Sequence, residues 1–150
     1  MSHARQQIRD QIVSVLNAYP VTATVVPTRA WIVQPTELPM IGVYTSDEES
    51  SLDDGASMDS SGTLLRILNV VLDITVQGVD GQTGMIALDN LAEECETALG
   101  AARDILGIMD LLPATMETDQ ATEGETITSK MTLSFICMYR TAVGSPELIT

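Results

Sequence analysis

The stretch Thr63-Leu-Leu-Arg-Ile-Leu-Asn-Val-Val-Leu-Asp-Ile-Thr-Val76 is the longest apolar-rich run of the chain without Gly or Pro. Its many β-branched and Leu residues are typical of a strand. With the two-residue period of a strand, one face is mostly apolar and contains Leu64, Leu68, Val70, Leu72, Ile74 and Val76. The other face becomes polar towards its C-terminal end and contains Ile67, Asn69, Val71, Asp73 and Thr75. The pattern predicts a long central strand, buried well on one face and partly on the other.

Two amphipathic helices are predicted on either side of this strand. The first runs from about Ser2 to Ala18, with Ser2 as its N-cap and Pro20 just beyond its end. Its apolar stripe is Ile8, Ile12, Val15, Leu16 and Tyr19. The second runs from about Thr83 to Leu106, and Gly100 is a position where it could split. Its stripe is Leu88, Leu91, Ala92, Cys95, Leu99 and Ala102.

Further strands are predicted from composition and alternation. A strand over about 22–33 contains Pro27, which indicates an edge or a bulge. Another covers about 38–45. Near the C-terminus, 114–122 and the clear alternation from Thr126 to Tyr139 are separated by a Gly-containing turn, which is typical of an antiparallel hairpin.

These elements predict an α+β two-layer domain, with a mixed or mostly antiparallel sheet of about four or five strands and two main helices on one face. We expect a single domain over residues 1–150, with a flexible acidic loop at 46–62 and a loose C-terminal tail at 141–150. The loop is assigned because 46–62 contains six acids and no base, and has little to bury. The six acids are Asp47, Glu48, Glu49, Asp53, Asp54 and Asp59.

The charge of the chain argues against two classes of partner. Seven Lys and Arg against 21 Asp and Glu give a formal net charge of −14. Such a surface repels phosphate backbones and anionic lipid, so we expect neither electrostatic binding of nucleic acid nor docking on a membrane. The sequence predicts a soluble protein made in a reducing cytoplasm, with Cys95 and Cys137 as small buried apolar residues.

Few residues offer catalytic chemistry. The only histidine is His3, at a helix start, and no phosphate-loop or dinucleotide-binding motif is present. An EF-hand loop starting at Asp47 or Asp53 would need Gly where Leu52 or Met58 stands. We therefore expect no enzyme, no cofactor and no EF-hand. Weak binding of a divalent cation stays open beside a solvated or partner-facing loop, and its candidate ligands are Asp47, Glu48, Asp53 and Asp54.

The order of motifs resembles a known family. After the first helix come Arg29-Ala-Trp and Leu38-Pro-Met-Ile-Gly-Val-Tyr-Thr-Ser-Asp-Glu-Glu-Ser, then the loop and Leu65-Arg-Ile-Leu-Asn-Val-Val-Leu-Asp-Ile. The chain then has an Ala/Leu/Glu-rich helix and closes on Met131-Thr-Leu-Ser-Phe-Ile-Cys-Met-Tyr-Arg-Thr. From about Arg5 to Thr141 it resembles the tail terminators of tailed bacteriophages, the lambda gpU-like minor tail proteins.

The resemblance implies a structural role in the virion, at the head-proximal end of the tail, after assembly in the host cytoplasm. It implies a homo-hexameric ring that caps the tail tube, ends tube polymerisation and joins head-completion proteins, while DNA passes through the lumen without specific binding. It brings no catalytic residues. The subunit-interface candidates are Asp47, Glu48, Glu49, Asp53, Asp54, Arg66, Ile67, Val71 and Asp73.

Alternatives remain at this point. Arg66 either extends to solvent at the sheet's rim or pairs with an acid of the loop, in its own subunit or a neighbour. For the whole chain, another head–tail connector, stopper or tail-completion protein is one alternative, and an acidic interaction module that binds divalent ions is another. We also expect a charge at position 71 to spare the monomer, since Val71 is on the face assigned to a neighbour.

Overall fold

The stretch 63–76 forms the centre of a five-stranded sheet in the computed structural model, which describes residues 3–19, 21, 23–27, 39–52, 62–78, 81–102, 110–123 and 126–145. In chain order the elements are α1 (Ala4–Ala18), β1 (Thr24–Val26), β2 (Met40–Leu52), β3 (Thr63–Gly78), α2 (Gly81–Ala102), β4 (Asp110–Glu123) and β5 (Thr126–Ala142).

The strand order across the sheet is β1-β2-β3-β5-β4. β1 pairs with β2 in parallel, and all other neighbours are antiparallel, so the sheet is mixed. Both helices pack on the same face of the sheet, and their buried residues belong to one apolar core with it. The predicted α+β two-layer domain is confirmed.

The core lies between this helix-covered face and the two helices. Register places Val43, Leu72 and Leu133 side by side across β2, β3 and β5, and all three are buried. α2 approaches the sheet closely at Gly84, where a Cβ atom would lie 2.3 Å from Ser129 Oγ. A larger residue would require either the Ser129 hydroxyl to turn away from Gln120, whose side chain donates to it, or the helix to move. The predicted stripes supply most of the helices' buried residues, which are Ala4, Ile8, Ile12 and Leu16 in α1 and Leu88, Leu91, Cys95, Ala98 and Leu99 in α2.

α1 begins later than predicted. Its N-cap is His3, whose Nδ1 accepts a hydrogen bond from the backbone N–H of Arg5 at 3.1 Å, so the assignment of the cap to Ser2 is wrong. An imidazole nitrogen can replace the usual hydroxyl or carboxylate oxygen at this position because it too is a hydrogen-bond acceptor. At the other end, Tyr19 follows the helix and is 38% exposed.

The largest correction concerns the predicted acidic loop. β2 continues to Leu52, so residues 46–52 form a strand rather than a flexible loop. They pair with the N-terminal part of β3, from Glu48 opposite Leu68 to Leu52 opposite Leu64. An extra residue between Thr45 and Glu48 makes a β-bulge. The sequence did not predict this part of β2 because the segment is highly charged. Its pairing with β3 is made by the backbone rather than by the side chains. Residues 53–61 lie outside the described residues.

The boundaries of other helices and strands also differ from the predicted ones. The predicted strand over 22–33 is described only as the short edge strand β1. α2 runs unbroken through Gly100 to Ala102. The predicted strand at 114–122 exists and starts earlier, at Asp110, and the predicted hairpin with β5 is confirmed. β5 continues to Ala142, so the first two residues of the predicted loose tail are strand, whereas 103–109 and 146–150 lie outside the described residues.

Candidate functional site

The second face of the sheet has no described helix or strand packed on it, and we call it the open face. Apolar side chains are exposed there on three adjacent strands: Ile67 on β3 (38%), Ile136 on β5 (39%) and Leu112 on β4 (47%). Register pairs Leu112 with Ile136, and Ile136 with Asn69, two residues along β3 from Ile67. Ile67, Ile136 and Leu112 therefore form one diagonal band, which we call the apolar strip.

Acids border the apolar strip. An open depression of about 280 Å³ lies between β2, β3, β5 and β4, and its lining includes Asp47, Glu49, Ile67 and Ile136. Asp47 is exposed and accepts hydrogen bonds from Ser46 Oγ at 2.8 Å and from Asn69 Nδ2 at 3.2 Å. These two hydrogen bonds lower the pKa of the Asp47 carboxyl. The depression therefore combines an apolar floor with an ionised carboxylate at its edge.

Other candidates on the open face are less accessible than the sequence predicts. Val71 is only 4% exposed, and its pairing partners on either side are Tyr44 and Ser134. Asp73 accepts a hydrogen bond from Thr132 Oγ1 at 3.2 Å. A charge at position 71 would thus be buried within the monomer, which contradicts the expectation that it spares the fold. Of the apolar interface candidates, only Ile67 is exposed.

Glu48 occupies a different environment from its neighbours in sequence. The bulge turns it to the helix-covered face, where its side chain is 6% exposed. Its Oε2 accepts from the Nη1 atoms of Arg5 at 2.8 Å and Arg66 at 3.2 Å, and its Oε1 accepts from the Tyr139 hydroxyl. Arg66 Nε also donates to Thr141 Oγ1 at 2.8 Å. We call these five residues the Glu48 cluster.

The Glu48 cluster joins the first turn of α1 to β2, β3 and β5. Burial, reinforced by the Glu48 carboxylate, raises the pKa of Tyr139, so its hydroxyl stays a donor. Burial and the positive charges of Arg5 and Arg66 lower the pKa of His3 beside it, which favours the neutral imidazole that caps α1. The cluster is a structural connection within one chain.

The outcome for the predicted site residues follows from these contacts. Arg66 pairs with an acid of its own chain, so of the two alternatives for Arg66 the ion pair is confirmed. Glu48 belongs to the monomer's interior, and its placement in a mobile, partner-facing loop is wrong. Glu49 is exposed and lies opposite Ile67, and its place in a subunit interface stays a prediction. Asp53 and Asp54 lie outside the described residues.

Sequence reasoning missed Leu112, Ile136, Arg5 and Tyr139. Leu112 and Ile136 become neighbours of Ile67 only through the strand order, which local periodicity does not reveal. A signal for the Glu48 cluster did exist. Tyr139 and Arg66 both fall on otherwise apolar faces of their strands, and a buried polar group requires a partner.

The described residues offer little for catalysis. Among them, no group of three or more His, Cys, Asp or Glu side chains could hold a metal ion. Burial raises the pKa of Cys95 and Cys137 to about 12 each, so neither thiol ionises to a nucleophile near neutral pH. No helix in the described part is both long and apolar enough to cross a membrane. That the chain is not an enzyme stays a prediction.

The family models and curated proteins that were compared with this chain give no match.

Proposed function

We propose that this chain is the subunit of a structural ring, a hexamer, that caps the tail tube of a tailed bacteriophage, ends its polymerisation and provides the surface for head joining. The apolar strip is the observation that supports this proposal. A sheet that is covered by helices on one face and exposes Ile67, Ile136 and Leu112 on the other has apolar surface for a neighbouring subunit to bury.

The electrostatics of the chain are compatible with that role. The net charge of −14 would repel a DNA backbone passing through the lumen of a ring. Asp47 and Glu49 at the edge of the strip would remain near water at the rim of an interface while the apolar residues become its centre. The partners in this proposal are other copies of the chain, the tail tube protein and a head-completion protein.

Light scattering coupled to size-exclusion chromatography tests the ring. We expect the protein to form a hexamer as its concentration rises, and Ile136→Asp to leave a folded monomer, because a charge in the strip would have to be buried on assembly. Ile86→Asp is the matched control, since Ile86 is 53% exposed on α2, away from the open face. A chain that stays monomeric under all conditions contradicts the proposal, as does equal weakening by both variants.

Tail morphology in the infected host tests the role itself. We expect phage that lack this chain to build tails of abnormal, extended length, and a plasmid copy to restore normal length while the Ile136→Asp copy does not. Tails of normal length without heads would instead identify a connector or stopper. Normal virions would favour the acidic interaction module, for which calorimetry with Ca²⁺ and Mg²⁺ provides the direct measurement.

A further inference from the structure

β4 is the last strand of the sheet and is paired on one side only. β5 covers its inner edge over the whole length, from Asp110 opposite Met138 to Glu123 opposite Thr126. No described strand pairs with its outer edge. A strand with an unpaired edge presents a row of backbone N–H and C=O groups that another extended chain can use.

Side chains on both faces of β4 are exposed. All nine residues from Leu112 to Gln120 are exposed. Met116, which pairs with Leu133 on the helix-covered face, is 56% exposed, and it lines an open depression together with Glu96 of α2. A bulge between Pro113 and Thr115 interrupts one end, but pairing is regular from Thr115 onwards. Gln120 has partners already, because its backbone N–H donates to Asp119 Oδ1 at 2.9 Å and its side chain donates to Ser129 Oγ at 3.2 Å. The segment 115–119 is therefore the regular, accessible part of the edge.

The charges on β4 determine which strand fits there. The strand contains Asp110, Glu117, Asp119 and Glu123 and no Lys or Arg. Glu117 and Asp119 are exposed and lie on the open face, opposite Thr132 and Lys130 of β5. A second copy of β4 paired along this edge would bring carboxylates next to carboxylates, which is destabilising. A strand with Lys or Arg on that face would place opposite charges together.

We propose that the outer edge of β4, over residues 115–119, binds an extended segment of a different protein by strand addition. The segment has Lys or Arg on the face that meets Glu117 and Asp119, and apolar residues on the face that meets Met116. Backbone hydrogen bonds supply binding, and the side chains on its two faces supply selectivity. This inference concerns the edge of the sheet and does not depend on the ring.

Two synthetic nine-residue peptides test this edge, one alternating Lys with Val and one alternating Glu with Val. Fluorescence anisotropy on dilute monomer gives the affinities, and amide hydrogen exchange locates the site. We expect the Lys peptide to bind about tenfold more tightly than the Glu peptide, given two favourable cross-strand charge pairs against two repulsive ones. Binding should slow exchange within 115–119.

Charge reversal distinguishes this site from general attraction to an acidic protein. We expect Glu117→Lys/Asp119→Lys to reverse the peptide preference. Asp89→Lys/Glu93→Lys on the exposed side of α2 makes the same change in net charge and should preserve the preference. Equal effects of the two double variants would overturn the proposal. Protection of 115–119 on self-association without peptide would also overturn it, because the occupant would then be a second copy.

Discussion

Both faces of β3 contain large apolar residues, but these residues differ in how far they are buried. On the helix-covered face, Leu68, Leu72 and Ile74 are fully or almost fully buried. On the open face, Val71 is 4% exposed, whereas Ile67 is 38% exposed. β3 is therefore buried along most of one face and over part of the other. The large apolar side chains that are exposed on the described part of the open face lie in the apolar strip, next to Asp47 and Glu49.

The adjacent acids Glu48 and Glu49 also differ in burial, because they lie on opposite faces of the sheet. Glu48 is buried on the helix-covered face with two arginines and a tyrosine, while Glu49 is exposed on the open face. One acid stabilises the fold and the other is available to a partner. Composition alone assigns both to one mobile acidic segment, so the strand pairing is what separates their roles.

Leu72→Asp should have the largest effect. The carboxylate would be buried between Val43 and Leu133 without a partner, and we expect a loss of about 4 kcal/mol or more, enough to unfold the monomer. Ile67→Asp, on the opposite face of the same strand, should change stability by about 0.5 kcal/mol or less. Urea unfolding followed by circular dichroism compares them, and similar losses would refute the division between the two faces.

Glu48→Ala should cause the second-largest loss of stability. Its removal leaves Arg66 and the Tyr139 hydroxyl buried without their acceptor, and we expect a loss of about 3 kcal/mol, the lower end for breaking a buried ion pair because Arg5 is half-exposed. Glu49→Ala is the control and should change stability by about 0.5 kcal/mol or less. Urea unfolding at neutral pH gives both values. A Glu48→Ala variant as stable as the control would show that the cluster contributes nothing net.

The smallest expected effect is a dependence of the stability on pH, which comes from His3. The pKa of His3 is lowered in the folded state from its ordinary value of 6.5, so the unfolded chain binds the proton more tightly. Its cap contribution, about 0.5 kcal/mol, is therefore fully present above about pH 6.5 and is lost as the pH falls through the lower folded-state value. Comparing urea unfolding at pH 7.5 and about 5.5 measures this loss.

His3→Asn is the control for this pH dependence, because asparagine also caps helices but does not titrate in this range. The variant should lose less stability than the native chain between the two pH values. An identical loss in both proteins would mean that other groups account for it.

The local alternation of apolar and polar residues was sufficient to predict much of the fold. The buried residues of β3, β5 and both helices follow the periods of two and 3.6, and these predicted the helix-covered face almost residue by residue. It was insufficient where a residue's environment is set by a neighbouring strand. Leu112 belongs to the apolar strip because β4 lies beside β5, and the burial of Val71 on the open face is likewise not visible in the alternation of β3. The open face is thus the part that sequence predicts least well.

The bulge in β2 has a consequence for how this strand tolerates insertions and deletions. Between Thr45, opposite Val70, and Glu48, opposite Leu68, β2 has one residue more than β3. Loss of Ser46 would leave Asp47 opposite Asn69 and Glu48 opposite Leu68, so every side chain would keep its face and the ladder would become regular. Loss of Gly42 would instead turn Met40 and Ile41 to the opposite faces. Ser46 is thus a position at which β2 can shorten while the same side chains stay buried.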